Sequence, residues 1–399
     1  MKFPIYLDYN ATTPVDPEAL SAMLPFFSEN FGNAASNHSF GWKAEEVIEH
    51  AREQIKNLIN AENKNTIFFT SGATEANNLA LKGIAKSYQK KGNHFITQRT
   101  EHESILETCH ELEKSGFKIT YLNVNSLGHI NLEELENSIT SKTILVSIMA
   151  ANNEIGTVEP LHKIGKICQK KNVLFHSDGA QAVGKIPLDV QKDGIDLLSI
   201  SSHKFYGPKG MGALYVSAKK PLIRIYPLIH GGGHERGLRS GTLAVPLIVG
   251  FGMACEIAQY QIQKDREHCL SLRENLWQNL QKEILGIHRN GDPQNSLPGT
   301  LNVSFEGIDS EGLLLNLKEL ALSSGSACAS KDKEPSHVIM ALGKSEALAH
   351  SAIRFCIGRM TTKEQIDYAI PLVIREVKRL SSLHNQSSSF SKERPSSHA

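Results

Sequence analysis

Short β-rich runs alternate with helix-like segments through the first two thirds of the chain, and this alternation limits the possible folds more than any other feature. The seven runs are Thr66–Thr70, His94–Thr97, Lys118–Val124, Thr143–Ile148, Val173–His176, Asp196–Ile200 and Ala213–Val216. Strands that alternate with helices pair in parallel through crossover connections. The sequence therefore predicts an α/β fold around a mostly parallel seven-stranded sheet.

The last third of the chain differs in composition and in its predicted elements from the first two thirds. From about Gln261 it is helical and charged, and strand-like Leu301–Phe305 and Ser351–Ile357 follow. The tail from Ser381 holds eight serines in nineteen residues, and its low apolar content cannot offset the entropy lost on ordering. We expect a large domain at residues 13–262, a smaller α+β domain made of residues 1–12 and 263–380, and a disordered tail at residues 381–399.

Charge and cysteine content argue against several classes of protein. The 43 basic and 42 acidic residues leave a net charge of +1, which gives no general attraction to nucleic acid or membranes. The six cysteines form neither a C-x-x-C pair nor a zinc-binding pattern. The most apolar stretch, Ala244–Cys255, is short and interrupted by Pro246. We expect a cytoplasmic protein with a small polar substrate and with no nucleic-acid or membrane partner.

Ser71-Gly72-Ala73-Thr74 lies between a predicted strand and a predicted helix. Backbone N–H groups at a helix N-terminus and two nearby hydroxyls can bind a phosphate. Serine and threonine at this place can also simply cap the helix, and capping is the commoner role.

Asp178 and Lys204 each follow a predicted strand, so both are expected at the carboxyl edge of the sheet, where α/β folds bind ligands. A lysine there can form a Schiff base with pyridoxal phosphate, and an aspartate can keep the pyridine nitrogen protonated. Taken singly, each is more often a solvated surface charge. Ser201 and His203 strengthen the cofactor hypothesis, because they stand beside Lys204 and could bind the same phosphate.

Three further residues could take part in catalysis or binding. His102 follows a strand and could stack on a cofactor ring and transfer protons, although a lone histidine is more often structural. Cys328 lies in the small-residue segment Ser323–Ser330, which predicts an accessible thiol. Arg354 interrupts an apolar strand, so it is expected to reach a carboxylate of either the protein or a substrate.

Several long motifs occur together and in order, and they resemble those of the bacterial cysteine desulfurases of the IscS/NifS type, especially the IscS branch. The motifs are Tyr6-Leu-Asp-Tyr-Asn-Ala-Thr-Thr-Pro14, Phe69-Thr-Ser-Gly-Ala-Thr-Glu75, Asn152-Asn-Glu-Ile-Gly156, Ser202-His-Lys-Phe-Tyr-Gly-Pro-Lys-Gly210, His230-Gly-Gly-Gly-His-Glu-Arg236, Arg239-Ser-Gly-Thr242 and Ser323-Ser-Gly-Ser-Ala-Cys328. The resemblance implies a homodimer with the fold-type-I architecture of pyridoxal-phosphate-dependent transferases.

The resemblance also implies roles for individual residues. Lys204 would carry pyridoxal 5'-phosphate as a Schiff base, Asp178 would pair with the ring nitrogen, Gln181 would bind the ring hydroxyl, and His102 would stack on the ring. The remaining cofactor contacts would come from Ala73, Thr74, Asn153, Ser201, Ser202 and His203, with Thr242 supplied by the other subunit. Asn153 and Arg354 would bind the substrate, and Cys328 would be the persulfide nucleophile.

The implied reaction converts L-cysteine to L-alanine and leaves the sulfur on Cys328 as a persulfide. Acceptors would include an iron–sulfur scaffold protein and other sulfur-acceptor proteins, such as those of tRNA thiolation, and Cys328 could transiently ligate a [2Fe–2S] cluster on the scaffold. The serine-rich tail differs from that of close relatives, which leaves scaffold docking open. A selenocysteine lyase or an aminotransferase needs the same lysine and aspartate, and only Cys328 in its segment separates these activities. A catalytically silent binding protein is the other alternative, which the intact site residues oppose.

Overall fold

The computed structural model describes residues 2–324 and 334–392, with side chains as far as residue 383. The strands are β1 Ile5–Tyr6, β2 Ile67–Thr70, β3 His94–Gln98, β4 Lys118–Leu122, β5 Thr143–Ser147, β6 Leu174–Asp178, β7 Leu197–Ser201, β8 Gly212–Val216, β9 Ile287–Asn290, β10 Thr300–Phe305, β11 Leu320–Ala321, β12 Ser323–Ser324 and β13 Ala352–Cys356. The α-helices are α1 Pro17–Met23, α2 Pro25–Ser28, α3 Ser39–Ile59, α4 Ala73–Tyr88, α5 Glu103–Lys114, α6 Leu132–Ser138, α7 Leu161–Lys171, α8 Val245–Glu283, α9 Ser310–Asn316, α10 His337–Ala341, α11 Glu346–His350 and α12 Lys363–Lys392.

The large sheet has seven strands in the order β2-β8-β7-β6-β5-β3-β4. Strands β4, β3, β5, β6 and β7 pair in parallel, whereas β8 is antiparallel to both of its neighbours, β7 and β2. Each strand overlaps one of the seven β-rich runs, so the predicted mostly parallel sheet is confirmed. Because β2 runs in the same direction as the five parallel strands, the carboxyl ends of six strands lie at one edge.

Helix α4 illustrates how the sequence packs a helix against the large sheet. Ala76, Leu79, Ala80 and Ile84 recur at helical spacing, and all four side chains are buried in a cluster with sheet residues. Full burial of a leucine or isoleucine side chain contributes about 1.5–3 kcal/mol. The helix begins directly after Gly72, whose φ of +155° is rarely adopted by other residues.

A second sheet has the order β12-β13-β10-β9, and all of its pairings are antiparallel. Its core includes Ile5 and Leu7 from the N-terminal segment, and β1 pairs in parallel with β11. We propose that residues 1–12 and 263–380 form the small domain, because the N-terminal segment packs in this second core and not in the core of the large sheet.

Helix α8 connects the two cores and was not foreseen as one continuous element. Its 39 residues span about 58 Å at 1.5 Å per residue. Ile248 and Phe251 are buried in the core of the large sheet, whereas Leu272 and Leu276 are buried in the second core. By length and composition this helix could cross a membrane, but half of its most apolar window is buried inside the protein. It is therefore a core helix of the fold.

Helix α12 extends further than the sequence predicts. The helix continues through the serine-rich segment to Lys392, where we expected disorder from Ser381 onward. The helix already contains Pro371, but the serine-rich segment itself has no glycine and its first proline is Pro395, so no helix-breaking residue lies between Ser381 and Lys392. Residues 393–399 lie outside the described part of the chain.

Candidate active site

A cavity of about 740 Å³ opens at the carboxyl edge of the large sheet. Ten of the predicted site residues line it: Ala73, Thr74, His102, Asn153, Asp178, Gln181, Ser201, His203, Lys204 and Arg354. A cavity of this size accommodates a small cofactor together with a substrate. The structure therefore brings together, from six separate segments, most of the residues singled out in the sequence.

The N-terminus of α4 forms one wall of the cavity. Its N-cap is Gly72, and no side chain caps the helix, so the predicted capping role of Ser71 or Thr74 is not observed. The first N–H groups of a helix have no partner within the helix and attract anions. The Ser71 N–H is already used, because it donates to Glu75 Oε2 at 2.7 Å. Of the predicted anion-binding group, Ser71 can therefore no longer offer its N–H, and Ala73 and Thr74 remain the candidates.

Glu75 in turn binds Arg239, whose Nε lies 2.8 Å from Glu75 Oε1. Burial acts to raise the pKa of Glu75, but the hydrogen bonds from Arg239 and Ser71 outweigh it and lower the pKa. The ion pair ties the Arg239–Thr242 loop to the anion site of the same subunit. Thr242 itself is exposed and does not line this cavity.

Lys204 ends the short 3-10 turn that follows β7. Its Nζ donates to the backbone oxygens of Asn10 at 2.8 Å and Ala11 at 2.9 Å. The neighbouring His203 places Nδ1 3.1 Å from Thr12 Oγ1. Burial, assisted by the charge of Lys204, lowers the pKa of His203 to about 4, so this imidazole is neutral near pH 7. The turn therefore presents one amine and one neutral imidazole to the cavity.

Asp178 is the last residue of β6 and is only 5% exposed. Its Oδ2 accepts a hydrogen bond from Asn77 Nδ2 at 2.7 Å, and its Oδ1 accepts one from the Ala180 N–H at 2.8 Å. These donors fix the carboxylate at the cavity wall. Asn77 lies one helical turn into α4, and we did not identify it from the sequence, where it has the pattern of an ordinary helix residue.

His102 is the N-cap residue of α5, and its Nδ1 accepts a hydrogen bond from the Ser104 N–H at 3.1 Å. In the neutral ring the proton then resides on Nε2. Glu101, the preceding residue, is fully buried and was missed in the sequence. Burial and the nearby charge of Asp178 raise its pKa well above the ordinary value, which favours the protonated carboxyl.

Arg354 reaches a carboxylate, as the sequence predicts, and the carboxylate belongs to the protein. Its Nη2 donates to Asp8 Oδ1 at 2.7 Å, and its Nη1 donates to the backbone oxygen of Asn153 at 3.0 Å. Its Nε has no hydrogen-bond partner among the described residues. Asp8 and Asn10 belong to a motif quoted above, but no sequence signal assigned them to the site.

One predicted site residue, Ser202, needs correction, and another, Cys328, lies outside the described residues. Ser202 does not line the cavity: its side chain is fully buried under the Gly207 turn, where a Cβ on Gly207 would lie 2.0 Å from Ser202 Oγ. A cofactor contact through the Ser202 side chain therefore has no support. Cys328 lies outside the described residues, although Ser323 and Glu334 on either side of that gap both line the cavity.

The chain is similar to known proteins over most of its length, and the matched region includes the residues that line the cavity. Residues 5–369 match the aminotransferase class-V family. Cysteine desulfurase IscS of Rickettsia rickettsii (strain Iowa) is 54% identical over 384 residues, which cover 96% of this chain and 93% of the relative. A solved NifS-like protein superposes with a TM-score of 0.86 at 40% identity, covering 94% of this chain and 99% of its own. SspA in complex with cysteine superposes with a TM-score of 0.80 at 39% identity, covering 90% and 100%.

Proposed function

The chain belongs to the aminotransferase class-V family and, within it, to the cysteine desulfurases, and we propose that it moves the sulfur of free L-cysteine to Cys328 and releases L-alanine. One observation carries the proposal: Lys204 and Asp178 meet in a single cavity beside an uncapped helix N-terminus. An amine, a buried carboxylate and an anion site are the three groups that pyridoxal 5'-phosphate requires. The 54% identity to a cysteine desulfurase supports the choice of substrate.

The residues present fit pyridoxal 5'-phosphate. When bound, the cofactor withdraws electrons from the Cα of an amino acid. Lys204 would hold it as a Schiff base, Asp178 would keep its ring nitrogen protonated, Gln181 would donate to its ring hydroxyl, and His102 would stack on the ring. Ala73, Thr74, Ser201 and His203 would bind its phosphate, and Thr242 would join them from the second subunit.

The substrate would be held by Arg354 and Asn153. Arginine binds carboxylates through two parallel N–H donors, and Arg354 lines the cavity while Asp8 fixes its guanidinium through Nη2. Lys204 Nζ would accept the α-proton of the bound cysteine. His102 would exchange protons through Nε2, because its Nδ1 is occupied by the Ser104 N–H.

Sulfur transfer would take place at Cys328. Its thiolate would attack the substrate sulfur, so that a sulfur–sulfur bond forms as the carbon–sulfur bond breaks. The electron pair of the broken bond would stay with the substrate carbon, which takes up a proton to become the methyl group of alanine. The resulting persulfide would pass to acceptor proteins, including an iron–sulfur scaffold on which Cys328 could transiently ligate a [2Fe–2S] cluster. Ser323, which precedes Cys328 by five positions in the sequence, lies on the cavity wall.

The active unit would be a cytoplasmic homodimer. Large apolar side chains are exposed along one stretch near the N-terminus: Leu24 at 57%, Phe27 at 59%, Phe31 at 67%, Phe40 at 50% and Trp42 at 58%. An exposed apolar surface of this kind marks an interface. Thr242 is exposed as well, which suits a residue that completes the site of a neighbour.

Cys328→Ser tests the proposal. The variant should keep the Lys204-bound cofactor and its visible absorbance band but lose both the persulfide and catalytic alanine production, because a hydroxyl is a far weaker nucleophile toward sulfur than a thiolate. Ser326→Ala is the matched control in the same segment and should retain activity. Wild-type turnover by Cys328→Ser, measured as alanine and reducible persulfide in one sample, would support a lyase or an aminotransferase instead.

A further inference from the structure

Lys185 is a lysine whose ammonium group faces the protein interior. It borders a small cavity of about 40 Å³ next to the main one, and Lys204 and Asn10 line both cavities. Within the described part of the chain it forms no ion pair with a carboxylate, and its hydrogen bonds go to amide oxygens only. An interior ammonium without a counter-ion lowers stability, so its position calls for a functional explanation.

Both hydrogen bonds of Lys185 lead toward the active site. Nζ donates to Gln181 Oε1 at 2.6 Å and to Asn10 Oδ1 at 3.0 Å. An ammonium has donors only, so it can bind only the oxygen end of the Gln181 amide. Gln181 Nε2 meanwhile donates one hydrogen to the backbone oxygen of Asn10 at 2.9 Å. The group that Gln181 can still offer to the main cavity is therefore the second N–H of Nε2.

Asn10 links this arrangement to Lys204. Its backbone oxygen accepts from both Gln181 Nε2 and Lys204 Nζ, whereas its side-chain oxygen accepts from Lys185. Its Nδ2 donates to Thr300 Oγ1 at 2.9 Å, which anchors it on the small-domain sheet. One residue thus fixes both lysines and the Gln181 amide relative to one another.

We propose that Lys185 is a positioning residue, which turns the Gln181 amide so that an N–H and not a carbonyl faces the oxygen of the cofactor ring. A reversed amide would place a carbonyl oxygen against the ring oxygen, which is repulsive when that oxygen is ionised. Burial, together with the charges of Lys204 and Arg354, lowers the pKa of Lys185 to about 7. The charged amine can only donate, whereas the neutral amine also has a lone pair that can accept a hydrogen bond. When Lys185 is neutral, the hydrogen bond from Gln181 Nε2 to the backbone oxygen of Asn10 still favours the same orientation of the amide. This inference rests on the proposed cofactor site.

The test measures the cofactor and not turnover. In the purified holoenzyme, Lys185→Met should weaken retention of pyridoxal phosphate in dialysis about tenfold, the lower end of the roughly 10–100-fold effect known for the outer partners of metal ligands, and should shift the visible absorbance band. Lys185→Arg keeps a donor and should restore both properties in large part. Gln181→Leu should give the same defect, and the double variant Lys185→Met/Gln181→Leu should be no worse than either single variant, because the two side chains act as one unit.

Controls separate this effect from general loss of stability. Lys219→Met removes a lysine that pairs with the buried Asp196 away from the cavity, and it should destabilise the fold without altering the absorbance band. If Lys185→Met does not fold, Gln181→Glu provides the second route, because Lys185 would bind the new carboxylate and leave no N–H for the ring. Wild-type retention and absorbance in Lys185→Met or Gln181→Glu, or additive defects in the double variant, would overturn the inference. A wild-type protein without cofactor on Lys204 would instead overturn the proposed function.

Discussion

Arg354 Nη2 lies 2.7 Å from Asp8 Oδ1, although 346 residues separate the two in the chain. The contact joins the N-terminal segment to β13, where Asp8 also forms a parallel bridge with Cys356. Both side chains are largely buried, with exposed fractions of 5% for Arg354 and 17% for Asp8. The carboxylate therefore sets the direction of the guanidinium at the cavity wall.

Asp8→Ala should weaken substrate binding more than it slows catalysis. Loss of the carboxylate frees Arg354 to turn, so we expect the KM for cysteine to rise about tenfold, the equivalent of about 1.4 kcal/mol, with a smaller change in kcat. Asp8→Asn keeps an acceptor oxygen and should show a weaker effect. Steady-state kinetics with both variants measures this, and an unchanged KM in Asp8→Ala would show that Asp8 does not orient Arg354.

Lys204→Ala should abolish covalent attachment of pyridoxal phosphate. Lys204 is the lysine that the turn after β7 places beside Ser201 and His203 in the cavity. Borohydride reduction of the wild-type holoenzyme followed by peptide mapping should label Lys204. Lys209 also lines the cavity and provides the internal comparison: Lys209→Ala should retain the label on Lys204. A label on any other lysine contradicts the assignment.

Glu235→Ala should lower the free energy of unfolding by about 3–5 kcal/mol, the range for removing one partner of a buried ion pair. Glu235 accepts hydrogen bonds from Arg52 and from the Phe69 N–H, and both side chains of the pair are almost inaccessible to water. Its backbone φ is +50°, so the local conformation also depends on these contacts. Urea unfolding provides the measurement.

The matched control is Glu136→Ala, which removes the partner of Lys170 on the protein surface. Exposed pairs contribute about 0–1 kcal/mol, so this variant should unfold close to the wild-type midpoint. Equal losses in Glu235→Ala and Glu136→Ala would show that burial of the Arg52–Glu235 pair has no special role.

His129 should stabilise the folded protein at low pH and lose this effect as the pH rises. The Glu159 carboxylate, 3.7 Å from Nδ1, raises the pKa of His129 against the opposing effect of burial, and Asp292, 2.9 Å from Nε2, raises it further. The folded state therefore holds this proton more tightly than the unfolded chain. The resulting stabilisation is fully present below the ordinary histidine pKa of about 6.5 and is lost as the pH rises through the higher folded value.

His129→Gln removes this titration. Urea unfolding between pH 6 and pH 9 should show the wild type losing its advantage over the variant as the pH rises. Glu159 and Asp292 remain in both proteins, so comparison of the two cancels much of their own contribution. A stability difference that is constant over this range would contradict the assigned role of His129.

Local patterns in the sequence predicted the large sheet well. Each β-rich run became a strand with bounds shifted by only one or two residues, because buried parallel strands carry a dense apolar signal. The antiparallel direction of β8 has no local signal, since it depends on the pairing of Ala213 with Ile200 and Phe69 across the sheet. Continuity of α8 was missed because its composition changes along its length, from the apolar stretch that ends at Cys255 to the charged stretch that begins near Gln261.

The proposed catalytic and cofactor-binding residues were easier to single out in the sequence than the residues that contact them. Lys204, Asp178 and His102 follow strands and belong to recognisable motifs. Asn77, Glu101 and Lys185 look like ordinary helix or loop residues in the sequence, and their roles depend on contacts with distant segments. Lys185 Nζ, for example, contacts Asn10 across 175 positions of the chain, a separation that no local pattern encodes.

Helix α8 is shared by the two cores, so each core depends on a helix that the other core also holds in place. The proposed boundary at residues 262 and 263 falls inside the helix, between Phe251 in one core and Leu272 in the other. A cut between these residues would interrupt the helical hydrogen bonds of α8, and neither fragment would retain the entire helix. The two fragments should therefore be insoluble when each is produced alone and should be recovered as a complex when both are produced in the same cell.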